Sequence, residues 1–475
     1  MNIALLSAVE QRRLLGAREI SAAQLLEACV AQYEKNNPKF NAIVETDLVD
    51  ARTRAADADR ALLAGEAIGP LHGLPMTVKD SVDWAGMPST WGDPAHADHR
   101  PTEDADVVKQ LRAAGAVLYG KSNVPLHLGD WQTHNEIHGL TSNPWDPART
   151  AGGSSGGSAV SVATGMSSLE VGSDIGGSIR WPASYNGVAG LKPSFQLVSS
   201  HGHTFPGHEG TVDNNVVGPT ARTVADLAMA LPTMWQPHMC PRSADKESLA
   251  DFRVGVLLDN PTGAQDTAVT GVLERAIRQL ADAGVQLVDP PPLDFVLSGH
   301  EAGLMAIRTA AQGTATDRPS FDDVERYDRG DRDFDALVAK AAHMTYREWI
   351  DVNNQRERAR LRWRDYFAGV DLLLTPVSAT TAPPHDVAHT FGDQLIMVNG
   401  VRRPAMDQWF WAGIANATYL PALAIPAGIA SDGLPVGMQV LGPFMGDLLT
   451  LGFGVLAEQV LGHPVLELHG RLEHS

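Results

Sequence analysis

The sequence predicts an α/β fold: a single large domain with a central mixed β-sheet flanked by helices. Three observations lead there. A helix-then-strand unit occupies 106–121, a strand–helix–strand unit occupies 252–288, and the uninterrupted apolar triplet Leu372-Leu373-Leu374 reads as a strand buried on both faces. No internal repeat or linker divides the 475 residues, so residues 1–475 read as one elaborated unit, a length that large α/β enzymes reach.

Taken in order, residues 1–65 are rich in Ala, Leu, Glu and Arg at helical spacing and form a helical preface. There Leu25, Cys29 and Tyr33 share one face behind Ser21, a suitable N-cap. In DVVKQLRAAGAVLYGK, Asp106 to Lys121, a short helix stops at Gly115 and an apolar strand leads into a strand-end loop at Lys121-Ser122-Asn123. Phe252–Leu258 (FRVGVLL) reads as a strand. The helix 268–283 carries Val269, Leu273, Ile277 and Leu280 on one face, and Gly284 precedes a parallel strand VQLV. A charged helix around Arg356–Phe367 runs into GVDLLLTP. Residues 70–230 form the motif-dense core, and about 290–345, acidic and weakly periodic, form a variable cap or insertion.

Composition narrows the function classes. At 44% hydrophobic and 20% charged residues the chain is ordinary for a globular protein, and it has no apolar run long enough to span a bilayer. Its first residues, MNIALLSAVEQRRLLG, lack the cationic start and apolar core of a signal peptide, so a cytoplasmic location is expected. A net charge of −19 repels phosphate backbones and argues against nucleic acid as a partner. Cys29 and Cys240 are too few for a disulfide framework or a cysteine-based metal site. The 17 histidines include no HExxH, and His201, His203 and His208 lie in a glycine-rich loop, so no metal is expected.

The chemistry concentrates in Gly152–Ser178, GGSSGGSAVSVATGMSSLEVGSDIGGS. A flexible Gly-Ser linker would not carry the apolar run Ala159, Val160, Val162, Ala163, Met166, Leu169 and Val171, so this stretch is folded and buried. A serine needs a base, and no GxSxG here sits on a clear strand-to-helix elbow with a helper histidine. A lysine can substitute if burial lowers its pKa from about 10.4 towards 7, a shift of roughly 4–5 kcal/mol. Lys79 ends the apolar, β-like GLPMTVK with Asp80 beside it, although a surface lysine is the plain alternative; Lys121 is the weaker candidate. Asp174-Ile175-Gly176-Gly177-Ser178 strings consecutive amides beside a serine, as an oxyanion hole requires. GGSSGG lacks the GK(S/T) of a phosphate-binding loop and no GxGxxG stands in strand–helix context, so no cofactor is implied.

Through GLPMTVKD, GKSNVP, GLTSNPWDPARTAGGSSGGSA, GSDIGGSIRWPA and GVAGLKPS, the chain resembles the amidase signature enzymes, serine hydrolases with a Ser-cisSer-Lys triad; the match weakens but resumes at DLLLTP and NATYLPALAIPAGIASDGLPVGMQVLG. The resemblance implies Ser178 as nucleophile, Ser154 as the bridging serine after a cis peptide bond, and Lys79 as base. It further implies an oxyanion hole from the amides of Ile175, Gly176, Gly177 and Ser178, with Ser155, Asp174 and Arg180 in support. The implied activity is hydrolysis of a small-molecule carboxylic amide, an aryl amide or carbamate among the candidates, with a homodimer expected by analogy. The alternative is the glutaminase (A) subunit of a tRNA-dependent amidotransferase, and a third reading is a catalytically silent binding protein. This chain departs from the family at Leu126-His127, where relatives carry an acidic or aromatic pair, and at Ser173, where threonine is frequent. Trp131, Trp181 and Trp409, with Phe410 and Trp411, are candidates for an aryl acyl pocket, or for core packing.

Overall fold

The computed structural model describes residues 2–66, 68–242, 245–259, 265–292, 294, 296, 302–305, 321–330 and 334–473. Most of the expected cap at 290–345 therefore lies outside the described residues; within it, helices span Phe321–Asp328 and Phe334–Ala342.

Fifteen strands are described: β1 Ile43–Thr46, β2 Pro75–Lys79, β3 Val117–Ser122, β4 His134–Asn135, β5 Gly139–Leu140, β6 Leu169–Asp174, β7 Ala189–Lys192, β8 Val216–Ala221, β9 Arg253–Val256, β10 Gln286–Val288, β11 Leu372–Pro376, β12 Leu395–Val398, β13 Val401–Pro404, β14 Ala422–Ile429 and β15 Pro435–Leu441. Eleven of them form one sheet in the order β1-β3-β2-β6-β8-β7-β14-β15-β11-β9-β10, and the other four form two small hairpins. Pairing is parallel for β2 with β3 and β6 and for β9 with β10 and β11, and antiparallel elsewhere, so the expected mixed sheet is present. All residues of β2, β3, β6 and β11 are buried, the charged Lys79, Lys121, Glu170 and Asp174 among them, as strands covered on both faces must be.

The preface is more than helical. Its helices Ala8–Gly16, Ala22–Phe40 and Leu48–Ala64 enclose β1, which closes the sheet edge against β3 with a register shift between Ile43 and Glu45. Four residues are too short to show a period, so that strand had no sequence signal. Ser21 caps the second helix in a reciprocal capping box with Gln24. The unit at 252–288 forms as expected, with the helix Thr267–Asp282 between parallel strands β9 and β10. Ahead of β11 the helix begins earlier than expected, at Tyr346, where Thr345 and Glu348 make another capping box.

Two buried helices position the site. One, Gly156–Ala163, follows the first Gly-Ser cluster, and the other, Arg180–Asn186, follows the second, with β6 lying between them in sequence. Every residue of both helices is buried, and the apolar residues of the intervening run have no exposed surface.

Candidate active site

Lys79 is the last residue of β2 and has no exposed surface. Its Nζ donates to three serine hydroxyls: Ser154 Oγ at 2.6 Å, Ser173 Oγ at 2.9 Å and Ser155 Oγ at 3.0 Å. Burial pushes this lysine down to about 7, against the pull of Asp174, Glu170 and Asp80. Glu170, also fully buried, is itself pushed up to about 7 by burial.

Lys121, the weaker candidate, lies inside β3 and not in a strand-end loop, because β3 runs on to Ser122 alongside β2. Its ammonium donates to the Val82 carbonyl, so this buried lysine holds the loop after β2.

Ser154 follows a cis peptide bond from Gly153, as the resemblance implied. The loop carrying it is clamped by Thr133, whose hydroxyl donates to the Gly152 carbonyl at 2.8 Å and accepts the Gly156 N–H at 3.1 Å. Thr133 belongs to no motif recognised in the sequence; a lone buried hydroxyl leaves no pattern there. Ser155 joins the parts. Its N–H donates to the Ser178 carbonyl at 3.1 Å, and its hydroxyl donates to the Ser173 carbonyl at 3.2 Å while accepting the Ser173 N–H at 3.3 Å.

The second cluster is held by a fully buried ion pair. Arg180 Nη2 and Nε donate to Asp174 Oδ1 and Oδ2 at 2.8 and 3.0 Å, and Arg180 Nη1 reaches Gln439 Oε1 at 2.6 Å. Burial would raise the Asp174 carboxyl, but the Arg180 guanidinium holds it well below the usual carboxylate range. Asp174 also accepts the N–H groups of Gly177 and Ile179 at 2.8 and 3.2 Å. Gly177 therefore leaves the expected oxyanion set, because its amide is already directed at a carboxylate. The amides of Ile175, Gly176 and Ser178 have no hydrogen-bond partner among the described residues. No hydrogen bond joins the Ser154 and Ser178 hydroxyls among those residues; the backbone bond through Ser155 links the two clusters.

Ser178 opens onto a cavity of about 310 Å³ whose described walls include Ile175, Gly176, Trp91, Trp131, Phe205, Phe391 and Trp409. Trp131 and Trp409 stand where the pocket reading put them. Trp181 does not: it is wholly buried behind the loop, its Nε1 donating to the Val377 carbonyl at 2.7 Å and its ring edge-on to Trp131. Gly177, at φ +101°, is required there, since a Cβ would lie 3.1 Å from both Trp181 and Ala412. Phe410 and Trp411 pack into a separate apolar cluster. Trp91, Phe205 and Phe391 come from three distant loops, and nothing in the sequence brought them together. His203 is fixed between Ser81 and Asn215 at 3.1 and 3.0 Å, and burial drives it down to about 3. Among the described residues no group of three or more His, Cys, Asp or Glu could hold a metal ion, and no helix is long and apolar enough to cross a membrane.

Comparison with known proteins adds independent observations. Indoleacetamide hydrolase of Bradyrhizobium diazoefficiens is 29% identical over 92% of this chain and 82% of its own length. The glutamyl-tRNA(Gln) amidotransferase (A) subunit of Chloroflexus aurantiacus is 33% identical over 90% and 91%. A solved structure described as an amidase superposes with a TM-score of 0.79 at 28% identity, over 96% of this chain and all of that one. The family model described as Amidase matches residues 24–451, and the chain belongs to the amidase family of hydrolases that act on carbon–nitrogen amide bonds.

Proposed function

We propose that the protein hydrolyses small aryl or arylalkyl carboxamides through an acyl-enzyme on Ser178. The observation that carries this reading is a buried lysine among three serine hydroxyls beside a cavity lined, among the described residues, by Ser178 and five Trp and Phe rings. A lysine held near 7 is largely neutral at slightly alkaline pH; it then keeps two N–H donors, the Ser154 hydroxyl donates to its lone pair, and Nζ takes the Ser154 proton. Ser154 takes that of Ser178 as substrate binding tightens the relay, and Ser178 attacks the amide carbonyl. The amides of Ile175, Gly176 and Ser178 receive the developing oxyanion. The relay then returns the proton to the departing amine, and water hydrolyses the acyl-enzyme.

The 33% identity to an amidotransferase subunit favours a second reading, a glutaminase working with partner subunits. The cavity walls weigh against it: no Lys or Arg is among the described lining residues, so the α-carboxylate of glutamine would lack a counter-charge. A silent binding protein would not need Lys79, Ser154 and Ser178 all intact.

The test is ammonia or amine release from arylacetamides, aliphatic amides, anilides, carbamates and glutamine, with Ser178→Ala as control. Release from aryl carboxamides that the control abolishes supports the reading. Turnover of glutamine alone overturns it in favour of the second, and turnover of nothing overturns both as stand-alone activities.

A further inference from the structure

His127 follows the GKSNVP segment, and the structure holds it by both its backbone and its ring. Its backbone is left-handed at φ 50°, ψ 21°, followed by Leu128 at φ 58°, a conformation uncommon for non-glycine residues. Its N–H donates to the Trp91 carbonyl at 2.8 Å. The two loops lock further at Gly92, φ +67°, where a Cβ would lie 2.9 Å from the Pro125 carbonyl oxygen.

The ring is fixed as tightly as the backbone. Its Nε2 donates to Asp93 Oδ2 at 2.8 Å, and the same oxygen accepts His96 Nδ1 at 3.0 Å. Asp93 Oδ1 accepts the Ala95 N–H at 2.9 Å. Phe205 packs edge-on against the His127 ring, at 5.1 Å and 88°. Burial raises the Asp93 carboxyl, but the His127, Ala95 and His96 hydrogen bonds outweigh it and hold the group down at about 2, so it remains an acceptor across the working pH range. With the Nε2–H given to Asp93, the neutral ring keeps a lone pair on Nδ1, which has no partner among the described residues. His127 lines the same cavity as Ser178.

The cavity's other polar wall groups differ in kind: the buried indole N–H groups of Trp91 and Trp409 have no partner among the described residues and can only donate. His203 is bonded at both nitrogens, Asp130 accepts from Gln394 at 2.8 Å and from the Gln132 N–H at 3.0 Å, and His208 is exposed. An acceptor held in a fixed orientation in a largely aromatic cavity discriminates by what its ligand can donate.

Resting on the proposed amidase function, we propose that His127 is a specificity residue whose Nδ1 accepts a hydrogen bond from an O–H or N–H group carried by the aryl part of the substrate. Asp93 acts through it, as a positioning residue that fixes the tautomer.

The experiment compares kcat/KM for 3- and 4-hydroxyphenylacetamide with that for their methyl isosteres, near pH 8. The wild type should favour the better-placed phenol at least about tenfold. His127→Phe keeps the ring contact with Phe205 and should bring that ratio close to one. His127→Asn tolerates the left-handed backbone, carries a carbonyl acceptor and should restore part of the preference. A ratio near one in the wild type, or one that His127→Phe leaves unchanged while turnover still depends on Ser178, overturns the inference and leaves the amidase reading standing. Absence of any Ser178-dependent amide turnover removes both.

Discussion

Lys79 Nζ lies 2.6 Å from Ser154 Oγ, with both groups shut away from solvent and further serine hydroxyls on the same ammonium. Among the described residues no carboxylate is in hydrogen-bond contact with the lysine, and burial lowers its pKa against the pull of Asp174, Glu170 and Asp80. In the proposed mechanism this relationship lets the lysine act as a base near neutral pH.

Lys79→Ala should lower kcat/KM about 10²–10⁴-fold while Ser178 remains in place, since a positioned base contributes that much. Steady-state kinetics on the best amide of the panel checks this, with circular dichroism to confirm the fold. Near-normal turnover would remove Lys79 from the mechanism.

The pH profile follows from the sign of the shift. In the proposed relay Lys79 acts in its neutral form, and its pKa is lowered to about 7, so kcat/KM should rise about tenfold per unit below pH 7 and level off above it. Burial holds His203, in the same cavity, at about 3, so it stays neutral and adds no limb in this range. A profile flat from pH 6 to 9 would contradict the assignment.

Arg180→Met should destabilise the protein by about 3–5 kcal/mol, because it leaves the Asp174 carboxylate buried without its counter-charge. Chemical denaturation measures it. Loss of activity should accompany loss of stability, since Asp174 also holds the Gly177 and Ile179 amides around Ser178.

Thr133→Val keeps the shape and removes both hydrogen bonds of the clamp on the Ser154 loop, at Gly152 and Gly156. The expected cost is about 1–3 kcal/mol, appearing mainly in kcat, with rescue by Thr133→Ser. A rise in KM alone, with kcat unchanged, would show that the clamp shapes binding and not the reacting groups.

The residues legible in the sequence were those whose role is carried by a local string. Lys79, Ser154, Ser155, Asp174, Ser178 and Arg180 sit in short motifs, and the chain brings them together through one strand end and two Gly-Ser turns. Residues whose role depends on tertiary packing were not legible. Trp181 sits next to Arg180 in sequence yet turns behind the loop, while Trp91, Phe205 and Phe391 form walls from remote loops. Gly177 looked like an oxyanion donor from its place in the string, but the Asp174 carboxylate takes its amide. The same limit applied to the fold. Long periodic helices and apolar strands were readable, whereas β1, four residues inside a helical preface, is defined by its partner β3.

Ser178, activated through Lys79, is the proposed nucleophile. Mass spectrometry after reaction with a fluorophosphonate probe tests it most directly. A single phosphonyl adduct on Ser178 is expected, absent in Ser178→Ala and formed far more slowly in Lys79→Ala. An adduct that persists in Ser178→Ala, or that maps to another serine in the wild type, would contradict it.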